Sequence, residues 1–451
     1  MRRVGSTVLA ASFGFALVQL DVTIVNVALP EFARSLHAET DGLQWIVDSY
    51  ALVFAALLLS AGFMSDRFGA RRIYLFGFAV FACASLICGL SVNTSLLIGG
   101  RIFQGIGAAT MLPCSLALLN HATGHDARLR AKAVGWWTAA GAITIAAGPI
   151  VGGVLIGTLG WRSIFLVNLP ICLIGAVLTL RVDETERKEV SRSFDIPGQV
   201  TAILAMGALT AAVIEARPLG FLSPTVVGSV VLGALSLGAF IWIEKRAIAP
   251  MLPLSLFAEP SFTPALMFGV VANMTYYGIV FVLSLYLQNT LGYSPIKTGL
   301  AYLPLTATFL LVNLISGWWV GRSGSRLPMI FGALIDASGF ALLLLLSQHS
   351  VYWLMLPAFA LMPAGMGLGV PAMTTAVLAS IDKARSGIAS GVLNAARQAG
   401  GAIGVAIFGT LASGDAAAIV SGLHYSAMIA VGLLVAASAI AAIGIRNKDT
   451  A

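Results

Sequence analysis

The chain has 451 residues, of which 58% are apolar and 10% charged, and it contains 48 glycines. A soluble protein of this length carries roughly 25% charged residues, so this composition excludes a soluble domain and indicates closely packed membrane helices. The net charge of +7 does not predict a nucleic-acid partner, because the basic residues fall in short loops between apolar segments. The four cysteines lie inside apolar segments, without metal-ligand spacing or a disulfide framework.

Fourteen apolar segments are long enough to cross a membrane, since a spanning helix needs about 20 residues. They lie near residues 7–29, 43–63, 73–92, 95–119, 132–157, 163–181, 197–215, 222–243, 262–288, 296–319, 328–347, 352–378, 387–412 and 424–444. We interpret the first as a retained helix and not a signal peptide, because it has no clear small-residue cleavage site. With both termini in the cytoplasm, the outer loops hold only Arg34, Arg162, Arg217 and Lys297 among the basic residues. The positive-inside rule therefore predicts this orientation in the inner (cytoplasmic) membrane of a cell.

The first two predicted spans each carry a carboxylate. Asp21 lies in the middle of the first, but Thr23 and Asn26 are on the opposite face. Helix geometry therefore leaves open whether Asp21 exchanges a proton or makes a structural hydrogen bond. Asp48 follows Trp45 in the second span, and an aromatic ring with a carboxylate suits a lipophilic cation. We predict a role in substrate binding or proton coupling for Asp48, and the alternative is a structural pairing with another helix.

The turn after the second span contains Gly62, Asp66, Arg67, Gly69 and Arg71. A carboxylate beside a helix N-terminus and basic neighbours can form a breakable latch between helices. The alternative is a solvated loop that only fixes orientation. We predict a conformational role for this turn.

Arg101 lies in the middle of the fourth span, where Gln104 follows it. A guanidinium keeps its proton, and placing it at membrane depth costs between ~3 and ~15 kcal/mol. Such a residue needs an internal partner or a wet cavity, so a transport pathway is the default interpretation. We predict that both residues take part in proton coupling.

The fifth span carries Gly141, Gly148 and Gly152 in one narrow stripe, because their spacings are close to whole helical turns. Pro149 interrupts the backbone hydrogen bonds and kinks the helix. A smooth stripe beside a kink allows a neighbouring helix to pivot, whereas the alternative is ordinary small-residue packing.

The later spans contain further candidates for substrate binding. Tyr276 and Tyr277 in the ninth span are possible cavity walls, although aromatic residues there often serve packing alone. Asp336 is in the eleventh span, and Asn394 and Arg397 are in the thirteenth. Their alternative is structural pairing between helices.

Two sequence patterns occur twice in the chain. Gly62–Arg71 resembles Gly317–Arg326, although Gly321 replaces Asp66. Further on, Gly148–Gly152 corresponds to Gly400–Gly404. We predict two related six-helix halves, residues 1–182 and 248–451, with a linker and two inserted helices in 183–247. A parallel repeat of this kind is expected of a rocking transporter with a midplane site.

The chain resembles the major facilitator superfamily, and in particular its 14-helix drug:proton antiporter branch. The resemblance lies in Leu20–Pro30, Gly62–Arg72, Arg101–Gly107, Gly141–Gly153 and Trp161–Pro170. It implies the all-α major facilitator fold, a latch at Asp66, and a fifth helix that seals a proton leak. It also implies exchange of substrate for protons instead of co-transport.

The leading hypothesis is a monomeric, proton-driven exporter of lipophilic, cationic drugs or antiseptics, acting by alternating access. The alternative is an exporter of a dedicated metabolite or self-made antibiotic. No Gly-x-x-x-x-Gly-Lys-Ser/Thr loop occurs, so ATP is not the expected energy source. A membrane-embedded enzyme is disfavoured because the histidines lie in loops or at span ends. We expect no cofactor and no metal.

Overall fold

The structure is a computed structural model that describes residues 2–124, 127–184, 195–247, 250–381 and 386–445. A few side chains inside these ranges, including that of Asp66, are not described. Throughout the described ranges the regular structure is helical and contains no strand.

The described ranges contain sixteen α-helices. They are α1 (Arg2–Leu36), α2 (Thr40–Phe68), α3 (Ala70–Gly89), α4 (Thr94–Thr123), α5 (Ala127–Leu159), α6 (Ser163–Leu166), α7 (Asn168–Leu180), α8 (Ile196–Leu219), α9 (Pro224–Arg246), α10 (Phe262–Leu285), α11 (Pro295–Ala301), α12 (Leu303–Ser323), α13 (Arg326–Leu342), α14 (Tyr352–Ala379), α15 (Ser386–Leu411) and α16 (Ala416–Gly444). A π-helical turn, Tyr286–Thr290, extends α10, and short 3-10 turns occupy Leu254–Ala258 and Leu343–Leu345.

Thirteen helical segments of the described chain are long and apolar enough to cross a membrane. The thirteenth predicted span is not among them, but it is present as the 26-residue helix α15. Two predicted spans are each divided into two helices in the structure. The sixth is divided into α6 and α7, and the tenth into α11 and α12. In the tenth, Pro304 lies at the start of α12, where its missing N–H removes no helical hydrogen bond.

The packing of α1–α7 recurs in α10–α16. In the first set, α1 packs against α5 and α7, α2 against α4, and α3 against α4 and α7. In the second set, α10 packs against α15 and α16, α12 against α14, and α13 against α14 and α16. We call these sets the first and second half. The inserted pair α8 and α9 pack together, and α8 contacts both α2 and α15.

Candidate functional site

A buried ion pair lies inside the first half. Arg101 and Asp21 are 1% and 0% exposed, and an Arg101 Nη1–H donates to Asp21 Oδ2. The Nε–H of Arg101 donates to the carbonyl of Ile46 at 3.0 Å, and the guanidinium lies 4.3 Å from the centre of the Tyr50 ring. Arg101 therefore has the internal partner that its depth requires, and it connects α4 to α1 and α2.

Amide and hydroxyl groups surround this pair. Gln104 Oε1 accepts a hydrogen bond from Arg101 Nη1 at 2.9 Å, while its Nε2 donates to Asp21 Oδ1 at 3.2 Å and to Ser85 Oγ at 2.8 Å. Asn168 Nδ2 also donates to Asp21 Oδ1, at 3.1 Å. The sequence analysis missed Ser85 and Asn168. The Trp161–Pro170 segment was a signal for Asn168, whereas a lone serine in an apolar span is a weak signal.

A cavity lies between the two halves, and we call it the central cavity. Its walls come from α1, α2 and α4 on one side and from α10 and α15 on the other, and they include Asn26, Asp48, Tyr50, Arg101, Tyr277 and Gln398. A second cavity, the side cavity, shares Asn26 and Tyr277 with it. The side cavity also borders Thr23, Pro149, Tyr276 and Tyr302.

Asp48 contributes an unpaired carboxylate to the central cavity. It is fully buried, and neither carboxylate oxygen has a hydrogen-bond partner in the described part of the chain. The amide oxygen of Asn26, on α1 of the same wall, is also buried and has no hydrogen-bond partner among the described residues. A carboxylate removed from water without a partner is unfavourable, so this position favours binding of a compensating proton or cation.

Asp21 does not line either cavity. Thr23 and Asn26 line the cavities. Asp21 lies on the opposite face of α1, where it contacts α4 and α7. The sequence left this orientation open. In the structure Asp21 makes hydrogen bonds at a helix contact, and it reaches the central cavity only through Arg101.

Three other predicted site residues do not line either cavity. Trp45 donates its Nε1–H to Glu215 of α8 at 3.0 Å. Asp336 is 4% exposed and packs against Gly365 of α14. Asn394 donates to the carbonyl of Ser390 in its own helix at 3.0 Å.

Arg397 differs from Arg101 in its surroundings. Its Nε is buried and has no hydrogen-bond partner among the described residues. Its neighbour Gln398 lines the central cavity. The second half therefore presents no described counterpart of the ion pair between Asp21 and Arg101.

The turn between α2 and α3, which the loop charges predict to be cytoplasmic, contacts a carboxylate that the sequence places in the linker. Glu184, just after α7, accepts the backbone N–H of Arg71 at 3.2 Å and lies 3.6 Å from Arg72 Nε. Gly69 has φ +93°, and a Cβ there would lie 2.6 Å from the Glu184 carboxylate. The side chain of Asp66 is outside the described residues, and Arg67 is exposed beside the Phe68 ring. The described contact at the α3 N-terminus thus joins α3 to α7 within the first half.

The glycine stripe of α5 packs on α1. A Cβ at Gly141 would collide with Phe15, one at Gly148 with Thr23, and one at Gly152 with Ile24. A second small-residue face, which the sequence analysis missed, packs on the second half. There a Cβ at Gly153 would lie 2.6 Å from the Pro295 carbonyl oxygen, and one at Gly157 would lie 2.7 Å from Ile296.

The two halves are in contact at their outer ends, and we call this contact the outer seal. Gln44 of α2 donates to the carbonyl of Val405 at 3.1 Å and to that of Ala406 at 2.6 Å. In the opposite direction, Gln288 in the π-helical turn donates to the Val27 carbonyl at 3.0 Å. Gly299 of α11 packs against Pro149, beside the Gly153 contact. These contacts join the two halves at the end of the molecule that the loop charges predict to face outward.

Two packed sets of membrane-length helices with a cavity between them are the architecture of a multi-pass membrane protein. The family model described as Major Facilitator Superfamily matches residues 11–405, and the chain belongs to this superfamily.

Three similar proteins carry names from drug resistance and efflux. The chain is 38% identical to the multidrug resistance protein Stp of Mycobacterium tuberculosis over 90% of this chain and 75% of that protein. It is 37% identical to the methylenomycin A resistance protein of Bacillus subtilis, over 90% and 87%. It is 36% identical to the drug efflux pump JefA of Mycobacterium tuberculosis, over 90% and 80%.

Proposed function

We propose that this transporter is a proton-driven efflux antiporter that exports lipophilic, cationic compounds by alternating access. The observation that carries the proposal is the unpaired, buried carboxylate of Asp48 in the central cavity. A proton or an organic cation would each compensate this charge, but not both together. Competition for one carboxylate is a simple physical basis for exchange.

The aromatic rings of Tyr50 and Tyr277 support a lipophilic cation as the substrate. Both residues line the central cavity with Asp48, and the faces of aromatic rings attract cations. The Arg101 guanidinium already lies over the face of the Tyr50 ring, so Tyr277 is the better candidate for contact with substrate.

The ion pair of Asp21 and Arg101 is the proposed link between Asp48 and the rest of the first half. Arg101 lines the central cavity and also bonds the carbonyl of Ile46, two residues before Asp48. Asp48 and the guanidinium therefore share the central cavity and are connected through the backbone of α2, which gives a change of charge at Asp48 a path to Arg101. We propose that this interaction couples proton release to the movement of the halves.

The relatives support export of drugs, since their names include multidrug resistance and drug efflux. They also support the alternative, a transporter dedicated to one compound, because one relative is named for methylenomycin A alone. We propose that the protein is located in the inner membrane of a bacterial cell and acts there as a monomer.

The test is proton release from everted vesicles in which respiration has acidified the lumen and quenched a pH-sensitive dye. We expect a panel of lipophilic cations to restore fluorescence with wild type and to lose most of this effect with Asp48→Asn. Asp41→Asn, at the start of the same helix and outside both cavities, is the matched control and should behave as wild type. Equal responses of Asp48→Asn and wild type would remove Asp48 from the coupling site. No response of wild type to any cation would favour the dedicated transporter.

A further inference from the structure

The inserted helix α8 is attached to α2 near both of its ends. Towards the cytoplasm, Gln199 Nε2 donates to the Ala56 carbonyl at 2.9 Å, and Ser60 donates to Gln199 Oε1. Towards the outside, Trp45 donates to Glu215 at 3.0 Å. Gln199 and Glu215 are sixteen residues apart, or roughly 24 Å along a helix. Two anchors so far apart hold α8 antiparallel to α2 along most of its length.

The hydrogen bonds between α8 and α15 are confined to the outer end. Arg217 Nη1 donates to the carbonyl of Thr410 at 2.6 Å and more weakly to that of Leu411 at 3.4 Å. The Thr410 hydroxyl donates to the Val213 carbonyl at 3.4 Å. The last carbonyls of a helix have no partner within it, and a cation at this end is favourable. Arg217 thus caps the C-terminus of α15.

The same end of α15 belongs to the outer seal. Gln44 Nε2 lies 3.3 Å from the Thr410 hydroxyl, in addition to its two carbonyl contacts. Thr410 is therefore the point at which α2 of the first half, α15 of the second half and the inserted α8 meet.

We infer that α8 moves with the first half and clasps α15 only while the outer side is closed, with Arg217 as the positioning residue of this clasp. The inference rests on the alternating access of the proposed function. Opening the outer side separates α15 from α2, and α8 cannot follow α15 while both of its anchors to α2 hold. The cap by Arg217 is then lost, so this contact stabilises the outer-closed state. The inserted pair thereby sets the conformational equilibrium of the transporter.

The inference is tested by distances between spin labels on purified full-length protein in lipid nanodiscs. Cysteines for labelling replace three exposed residues: Glu39 before α2, Leu222 between α8 and α9, and Ala417 after α15. The exposed native Cys83 is replaced by serine, whereas Cys88, Cys114 and Cys172 are buried. The Glu39–Ala417 pair reports the outer seal, and Leu222 reports α8 against either half.

Arg217→Ala is expected to raise the ratio of outer-open to outer-closed molecules, read from the Glu39–Ala417 pair, by roughly threefold to tenfold. The matched control is Arg162→Ala. Arg162 also donates to an outer carbonyl, that of Ser91 at 3.0 Å, but both residues belong to the first half. It should leave the ratio unchanged. Equal ratios for Arg217→Ala and wild type would overturn the inference.

A second measurement does not depend on the folding of Arg217→Ala. In Gln44→Leu, which weakens the seal without removing a contact to α8, the Leu222–Ala417 distance should lengthen and the Leu222–Glu39 distance should stay constant. The opposite pattern would show that α8 moves with α15 and would overturn the inference. Neither measurement uses a substrate or a proton gradient, so failure here is distinct from failure of the proposed proton coupling.

Discussion

At the scale of single residues, the buried pair of Asp21 and Arg101 stands out because two charged side chains are removed from water. Ionisable residues in apolar spans are rare because their burial is costly, so the sequence identifies Asp21 and Arg101 without any structure. It does not identify Asn168, which donates a hydrogen bond to Asp21, or Ser85, which accepts one from Gln104. Hydroxyl and amide side chains are common in membrane helices, and their role depends on which helix faces them.

The ion pair yields a prediction about stability. Asp21→Asn leaves Arg101 buried without a counter-ion, and we expect the free energy of unfolding to fall by about 3–5 kcal/mol. Adding Arg101→Gln to Asp21→Asn should recover part of this loss, because the double variant buries no unpaired charge. Thermal unfolding of the purified protein measures both effects.

The control for this pair is Arg34→Gln. Arg34 also pairs with a carboxylate, Glu31, at 3.0 Å, but the arginine side chain is 63% exposed. Such a pair contributes less than about 1 kcal/mol. If Asp21→Asn proves as stable as Arg34→Gln, the buried pair does not hold the first half together.

At the scale of secondary-structure elements, the turn between α2 and α3 shows how a motif can be found while its partner is missed. The sequence predicts a glycine-bounded turn with a carboxylate near the α3 N-terminus. The described carboxylate at this position belongs to Glu184, which is distant in the chain. Its partners are Arg71 and Arg72, so the ionic contact joins the ends of two helices that pack together.

Gly69 should therefore be intolerant of a side chain. In Gly69→Ala the positive φ is strained, and the new Cβ would lie 2.6 Å from a Glu184 carboxylate oxygen. We expect a loss of about 1–3 kcal/mol in the free energy of unfolding. Gly62→Ala is the control from the same motif, since a Cβ there meets nothing within 4 Å. Similar melting temperatures for the two variants would contradict the role of the turn.

At the scale of the whole molecule, the outer seal joins the two halves beside the central cavity, which Val405 also lines. Its hydrogen bonds run in both directions, from Gln44 of the first half and from Gln288 of the second. Three of these four bonds end on backbone carbonyls and the fourth on the Thr410 hydroxyl. Most of the acceptors are therefore set by the fold and not by a side chain that a sequence motif would reveal.

Replacing both glutamines with leucine should open the outer side more often. Loss of these bonds shifts the balance by about 1–2 kcal/mol, or roughly 5- to 30-fold. A cysteine at Ala51, which lines the central cavity, should then react correspondingly faster with a membrane-impermeant maleimide added outside intact cells. Thr158→Val is the control, because the hydroxyl of Thr158 bonds only within α5. Unchanged labelling of the double variant would show that the glutamines do not hold the seal.

The sequence by itself determined the apolar segments and the ionisable residues among them, and it predicts their orientation, because hydropathy and loop charge act on each segment separately. Only the tertiary structure decided that Asp48 is unpaired in a cavity, that Asp21 faces α4 and α7, and that Trp45 faces α8. It also revealed the second glycine face of α5 and the cap of Arg217 on α15. These features depend on how helices from distant parts of the chain rotate and pack against one another, and no single segment encodes that arrangement.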